Sequence, residues 1–454
     1  MAGIGFRLQA LATEGSYTKA TMAYASSSII SAGPWIAGVA ALAVLRGVTA
    51  TFLRAADHDL LFATLVVVFA ASLLLSGGPQ MLITRYLADR LYVEDTGAIA
   101  PTALGSLMLL LPLALIALPF VLWAPFDIRY RLLTATLFLA LTMNWLLMVF
   151  VSASRDHWRV VMVLCSGYAL SVALAVGLGY PFGLLGTLGG FTLGQVTELA
   201  LLMFAICLEF PSRNGISFDY LSYLGPYWIL GVIGLCYMAG IWADNVIFWF
   251  APGNVAVQHF YHLFPPNDTV KFVVTLLTIP SSAFFLVHLE TRFYSHYRDF
   301  FQFIHRKQPL GKINEAQEGM IAAVNAGLIA LVKLQGLVSL FMCVVAPQVA
   351  GYLGLPSQWV SLLRVESIAA GAQFFTLVML LLLLYLDRRR DALLVAATFL
   401  LGNFGLTLLT VRLGQQFYGW GYLVAAVVSA LLGWILLRDR LKHIEFNTFM
   451  SQPL

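Results

Sequence analysis

Charge is what this 454-residue chain has least of. Asp, Glu, Lys and Arg make up 11% of it, where a soluble domain carries about 25%. The hydrophobic fraction is 60% and the mean hydropathy +0.85, which excludes a soluble globular fold and points to an all-α polytopic membrane protein. A net charge of +4 does not nominate nucleic acid as a partner. Cysteine is almost absent. Cys165, Cys207, Cys236 and Cys343 each lie in an apolar run, with no spacing that suits a disulfide, a redox pair or a metal, so they read as small buried hydrophobes. Catalytic signatures are missing too: no Gly-rich phosphate loop, no His-Glu-x-x-His, no Ser–His–Asp pattern. His259 and His262 are spaced i, i+3, but on a loop beside aromatics, and His288 at a helix end reads as a polar anchor. The expectation is a protein that is not an enzyme and uses no cofactor and no metal.

Apolar runs are what the chain has in plenty. A bilayer core about 30 Å thick takes roughly 20 residues of helix. Twelve segments qualify: 20–48, 60–84, 101–124, 132–154, 159–178, 184–208, 223–251, 270–289, 319–346, 360–386, 392–411 and 417–437. Gly179-Tyr180-Pro181-Phe182-Gly183 reads as a tight reversal, and Ala251-Pro252-Gly253-Asn254 closes the seventh helix. No strand pattern competes. An even count puts both termini on one side. Most of the 26 Lys and Arg fall on that side, while Arg46, Arg54, Arg129, Arg131, Lys271, Arg364 and Arg412 fall on the other. That bias places both termini in the cytoplasm.

Two stretches repeat. Ser31-Ala32-Gly33-Pro34-Trp35 in the first helix is echoed by Gly225-Pro226-Tyr227-Trp228 in the seventh. Proline inside an apolar helix removes a backbone hydrogen bond and kinks it. Gly33, Pro34, Trp35, Gly225, Pro226 and Trp228 are therefore expected to mark kinked walls of two six-helix lobes related as a parallel repeat. The expected division is a short amphipathic segment at 1–19, an N-lobe at 20–208, a cytoplasmic linker at 209–222, a C-lobe at 223–437 and a tail at 438–454. Within the C-lobe, 291–318 is expected to be cytoplasmic. Phe293, Tyr297, Phe300, Phe301 and Ile304 form an apolar stripe there, suited to lying on the membrane surface or docking a partner.

Polar residues inside apolar spans are costly and concentrate at functional places, about 2.5–3.5 kcal/mol for a charge at a helix centre. Glu198 is central in the sixth helix with Gln195 nearby, Lys333 is central in the ninth, and Asp244 lies toward the outer end of the seventh. With Ser27, Ser31, Gln80, Asn144 and Gln373 they form the candidate lining of a substrate path, Glu198 and Lys333 facing a cavity between the lobes. Each also suits packing within its own lobe, because hydroxyls, amides and paired charges hold helices together in lipid.

Met1-Ala2-Gly3-Ile4-Gly5-Phe6, Ser31-Ala32-Gly33-Pro34-Trp35, and Gly77-Gly78-Pro79 with Thr84-Arg85-Tyr86-Leu87-Ala88-Asp89 resemble the PelG family of bacterial Pel exopolysaccharide transporters. The resemblance implies membership of the multidrug/oligosaccharidyl-lipid/polysaccharide exporter superfamily, with two six-helix bundles in a V and alternating access. It also implies residence in the bacterial inner membrane and work with the glycosyltransferase PelF, the cyclic-di-GMP receptor PelD, and PelE. The sequence reading is thus a polysaccharide exporter contributing to biofilm matrix. The competing readings are a lipid-linked oligosaccharide flippase, a cation-coupled drug antiporter using Glu198 or Asp244, a scaffold for a membrane synthase, and, remotely, a membrane acyltransferase.

Overall fold

A computed structural model describes residues 37–152, 157–210 and 215–450. The candidates Ser27, Ser31, Gly33, Pro34 and Trp35, and the amphipathic segment 1–19, lie outside the described residues. Two compact units divide between Pro265 and Pro266. The first holds α1 (Ala37–Thr49), α2 (Ala55–Tyr92), α3 (Thr96–Trp123), α4 (Ile128–Ser152), α5 (157–182), α6 (184–209) and α7 (Leu224–Trp249). It ends in a hairpin of β1 (Val255–Val257) and β2 (Tyr261–Leu263). The second holds α8 (Pro265–Leu276), α9 (Ile279–Phe284), α10 (Thr291–His305), α11 (Leu310–Tyr352), α12 (Val360–Tyr385), α13 (Arg389–Leu413), α14 (Trp420–Lys442) and α15 (Ile444–Met450). Among the described residues, ten helical stretches are long and apolar enough to cross a membrane. One of these, Val161–Glu209, contains the expected reversal: Gly183 has φ 59 and ψ −138. The seventh helix packs in the first unit, so this compact division falls later in the chain than the expected linker at 209–222.

Glycine sets the closest contacts of the first unit. Lipid offers no hydrophobic drive for helices to associate, so they gain from close backbone approach. Gly186, Gly190 and Gly194 repeat every fourth residue on α6. A Cβ on Gly186 would strike the Leu178 carbonyl, on Gly190 the Leu174 carbonyl, and on Gly194 the Cα of Ser171. The α5–α6 hairpin is thus sealed along one glycine face. A second seam joins α2 to α7. A Cβ on Gly78 would lie 3.0 Å from the Gly231 carbonyl, and one on Gly234 would strike the Gly77 carbonyl. The turn before α7 is pinned to the ends of α2 and α3. Arg90 reaches Asp95 at 3.1 Å and Asp219 at 3.4 Å, and Ser217 N–H donates to the Pro101 carbonyl at 3.0 Å.

Four expectations are corrected. Gly225 and Pro226 occupy the first turn of α7, and neither they nor the half-exposed Trp228 mark a kink. The first N–H groups of a helix have no carbonyl to meet, so proline sits there without loss. Interior prolines are found instead at Pro79, Pro119 and Pro347. A short β-hairpin exists where no strand was expected. Its strands are three residues long, and its turn places Gln258 and His259 at φ 49 and 55, without the Gly or Asn that advertises such a turn. The segment 291–318 does not keep its whole aromatic stripe on a surface. α10 ends at His305, Lys307 turns at φ 54, and residues from Leu310 onward belong to α11. Phe293 and Phe300 are fully buried, Phe293 edge-on to Tyr385 at 5.7 Å, while Tyr297 and Ile304 are half-buried and Phe301 is exposed, so part of this stripe serves the unit's own core. Finally, the span expected at 270–289 is broken between α8 and α9. The break is a turn at Leu277 and Thr278, Pro280 falls in the first turn of α9, and the chain then passes through a π-helical turn at Phe285–Glu290.

The seam yields a test. Gly190→Leu is expected to lower the thermal unfolding midpoint of the detergent-purified protein, at a cost of about 3 kcal/mol or more from overpacking. Gly177→Leu on the exposed face of α5, where no atom lies within 4 Å of a built Cβ, is expected to leave it unchanged.

Candidate functional site

The structure brings two of the sequence candidates, Asn144 and Glu198, together in the first unit through Gln195. Gln195 is the hub. Asn144 Nδ2 donates to the Gln195 backbone carbonyl at 3.2 Å and to Gln195 Oε1 at 3.3 Å. Gln195 Nε2 donates to Ser171 Oγ at 3.0 Å and to Glu198 Oε2 at 3.0 Å. Ser171 Oγ in turn donates to the Gly167 carbonyl at 2.8 Å. Three helices, α4, α5 and α6, are tied by one carboxamide. Glu198 is only 1% exposed. It fits because Gly167 faces it, where a Cβ would stand 2.6 Å from its Cγ. Gln80 is a near neighbour through the next residue on α4: its Nε2 donates to the Trp145 carbonyl at 3.1 Å, while Trp145 Nε1 donates to Ser72 Oγ at 3.1 Å. One atom of the network is short of a partner among the described residues, the buried Oδ1 of Asn144. Asp244 is fully buried on α7 next to buried Asn245.

The second unit has its own hub. Gln335 on α11 accepts from Ser281 Oγ at 2.6 Å and donates to Ser339 Oγ at 3.3 Å; Ser339 Oγ donates to the Ser367 carbonyl at 2.9 Å. Gly371 leaves the room, since a Cβ there would stand 2.9 Å from Gln335 Cγ. Ser281 stands on α9, three residues past the turn that ends at Thr278. Lys333, two residues earlier, points the other way. It is exposed on a face of α11 shared with Ile329, Gly336 and Leu340. Gln373 is half-buried on α12.

An ion pair that the sequence did not single out lies in the same unit. Lys271 Nζ stands 3.4 Å from Glu366 Oε2 and 3.0 Å from the centroid of the Tyr422 ring. The Glu366 side chain is 0% exposed and that of Lys271 13%. Cation and anion neutralise each other, and the ring face adds attraction for the ammonium. Lys271 was visible in the sequence only as one of the outer-face basic residues. Its meeting with Glu366 depends on packing α8 against α12 and α14. Among the described residues no group of three His, Cys, Asp or Glu side chains is placed to hold a metal ion.

The arrangement of long apolar helices aligns with solved transporter structures over nearly the whole chain. An outward-facing multidrug resistance MATE family transporter of the MOP superfamily aligns with a TM-score of 0.66 at 15% identity, over 97% of this chain and 98% of the other. A MOP superfamily transporter from Pyrococcus furiosus gives 0.63 at 16% identity, over 92% and 96%. An inward-facing MATE family transporter gives 0.60 at 16%, over 98% and 99%. The protein is a multi-pass membrane protein with a MATE-like transporter fold. Within that class the chain belongs to the PelG family, described as "PelG: Putative exopolysaccharide Exporter (EPS-E)", which matches residues 1–449. Family and structural neighbours are transporters, not enzymes. No curated protein matches the chain.

Removing one member of a buried pair strands the other, at a cost of about 3–5 kcal/mol, whereas replacing both by apolar groups is far milder. Lys271→Met and Glu366→Leu are each expected to lower the unfolding midpoint sharply, and the double substitution to recover most of it, measured by thermal unfolding in detergent.

Proposed function

We propose that the chain exports the Pel exopolysaccharide across the bacterial inner membrane and so contributes to biofilm matrix, with both termini cytoplasmic. The observation that carries this reading is the coincidence of a family match along residues 1–449 with a transporter fold along the same chain. Two six-helix lobes would work by alternating access or be driven by synthesis. The glycosyltransferase PelF would supply the polymer, and PelD, PelE and cyclic-di-GMP would set when it is made. In this reading Gln80, Lys333 and Gln373, together with Ser27 and Ser31, present polar groups to the saccharide. Asn144, Glu198 and Asp244 act behind them. Hydroxyls and amides suit a sugar polymer because they trade hydrogen bonds with it at little desolvation cost.

A cation-coupled antiporter is the second reading, favoured by one observation. Gln195 accepts from Asn144 Nδ2 and donates to the Glu198 carboxylate, so a buried carboxylate and an asparagine whose own Oδ1 has no partner among the described residues are held by one amide. A lipid-linked oligosaccharide flippase would use the same fold on shorter cargo.

Deletion of the gene, with polymer synthesis and secretion read separately, is expected to leave synthesis measurable in spheroplasts while abolishing secretion. Normal secretion would remove the transporter reading. In complemented cells, Lys333→Met is expected to reduce secreted polymer several-fold at unchanged protein level. Glu198→Gln, which keeps the shape and a hydrogen bond to Gln195, is expected to retain export if the carboxylate only ties helices. It is expected to abolish ion-gradient-dependent dye efflux from liposomes if the antiporter reading holds.

A further inference from the structure

A charged cavity at one end of the second unit is unrelated to either glutamine hub. Its volume is about 470 Å³, within the 300–1,000 Å³ typical of small-molecule sites. Arg388 and Arg440 line it together with Asp387, and Leu386, Ile444 and Met450 form an apolar side. It lies where α12 ends, α13 begins and α14 passes into α15, which is the end of a bundle of spans, the depth of lipid headgroups.

The charges are not evenly matched. Arg389 binds Asp387 at 2.8 and 3.0 Å, and Arg440 binds Asp391 at 2.7 and 3.4 Å. Asp439 lies beside Arg440 at 3.8 Å. With these acids engaged, half-buried Arg388 has no ion pair among the described residues and lines the cavity with its charge unmatched. Arg390, Arg438 and Lys442 lie close by in the sequence. The apolar side continues outward. On α15, Phe446 is 63% exposed, Phe449 47% and Met450 71%, the pattern of a segment that dips into a leaflet.

We infer that this cavity binds the phosphate of an anionic glycerophospholipid, Arg388 and Arg440 holding the phosphate oxygens while the acyl chains lie along Leu386, Ile444 and Met450. A guanidinium suits phosphate through directional paired hydrogen bonds. Basic pockets at the ends of spans are placed to take anionic headgroups from the adjacent leaflet. A free phosphate would satisfy the arginines but leave the apolar side and the exposed aromatics of α15 without a role, so the lipid is the occupant the whole site fits. The inference is independent of what the protein transports.

The test uses the full-length purified protein in nanodiscs of phosphatidylcholine with phosphatidylglycerol, reading co-purified lipid by mass spectrometry and the thermal midpoint. Wild type is expected to retain phosphatidylglycerol over phosphatidylcholine. Arg388→Gln is expected to cut that retention about fivefold, the worth of one basic group near an anionic surface; Arg388→Lys is expected to keep part of it, and Arg129→Gln all of it. A parallel arm adds inorganic phosphate to phosphatidylcholine nanodiscs and is expected to leave the midpoint unmoved. Equal retention of the two lipids, undiminished retention in Arg388→Gln, or full reproduction of the effect by inorganic phosphate would each overturn the assignment. Arg388→Gln breaks no ion pair among the described residues, and an unchanged size-exclusion profile separates lipid loss from unfolding.

Discussion

A carboxamide in the hydrocarbon interior has no water to turn to, so it must find every partner inside the protein. Gln195 does so by reaching three helices at once, and Gln335 does the same in the second unit with Ser281 and Ser339. Each arrangement has a glycine opposite, Gly167 facing Glu198 in one unit and Gly371 facing Gln335 in the other. A side chain at either glycine would displace the facing Glu198 or Gln335 side chain from the position in which it is hydrogen-bonded. Close backbone approach and polar satisfaction are therefore one constraint here. The glycine seams bring the helices within range, and the hubs then fix which faces meet.

The second unit meets the same constraint beside an irregular span. α8 gives way to α9 at Leu277 and Thr278, a π-helical turn follows at Phe285–Glu290, and Ser281 between them donates to Gln335 on α11. Lys271, at the other side of the break, finds its own partners in Glu366 and the Tyr422 ring. Irregular backbone and paired charge thus occur together within about ten residues, both sheltered by α11, α12 and α14.

Much of this was legible in the sequence. Apolar run lengths pointed to a many-span helical protein, twelve spans expected against ten among the described residues, and Gly179 to Gly183 announced the reversal, because both signals are local. Glu198 and Asn144 stood out as polar residues in apolar surroundings, and the structure joins them. What was not legible depends on contact between remote segments. Nothing near Lys271 names Glu366, and nothing near Phe293 says that it packs against Tyr385 and not against lipid. Pro226 misled for another reason. An apolar run continues past the helix start, so proline in a first turn looks like proline in an interior. The β-hairpin was hidden because Gln258 and His259 take left-handed conformations without the residues that usually signal them.

The reversal at Gly183 is a single residue, and this fixes a depth. Tyr180 and Phe182 are exposed at the tip of the hairpin, with Phe52 stacked on Tyr180 at 4.5 Å, and exposed aromatics settle at the headgroup level. From Gly183, α6 descends without a break to Glu198, which at 1.5 Å per residue lies about 22 Å below the tip. With no loop to stretch and a glycine seam that forbids sliding, the carboxylate hangs at a constant distance from the membrane surface. The hairpin works as a gauge: however the rest of the molecule moves, the height of this acid is set by the tip at which the chain turns.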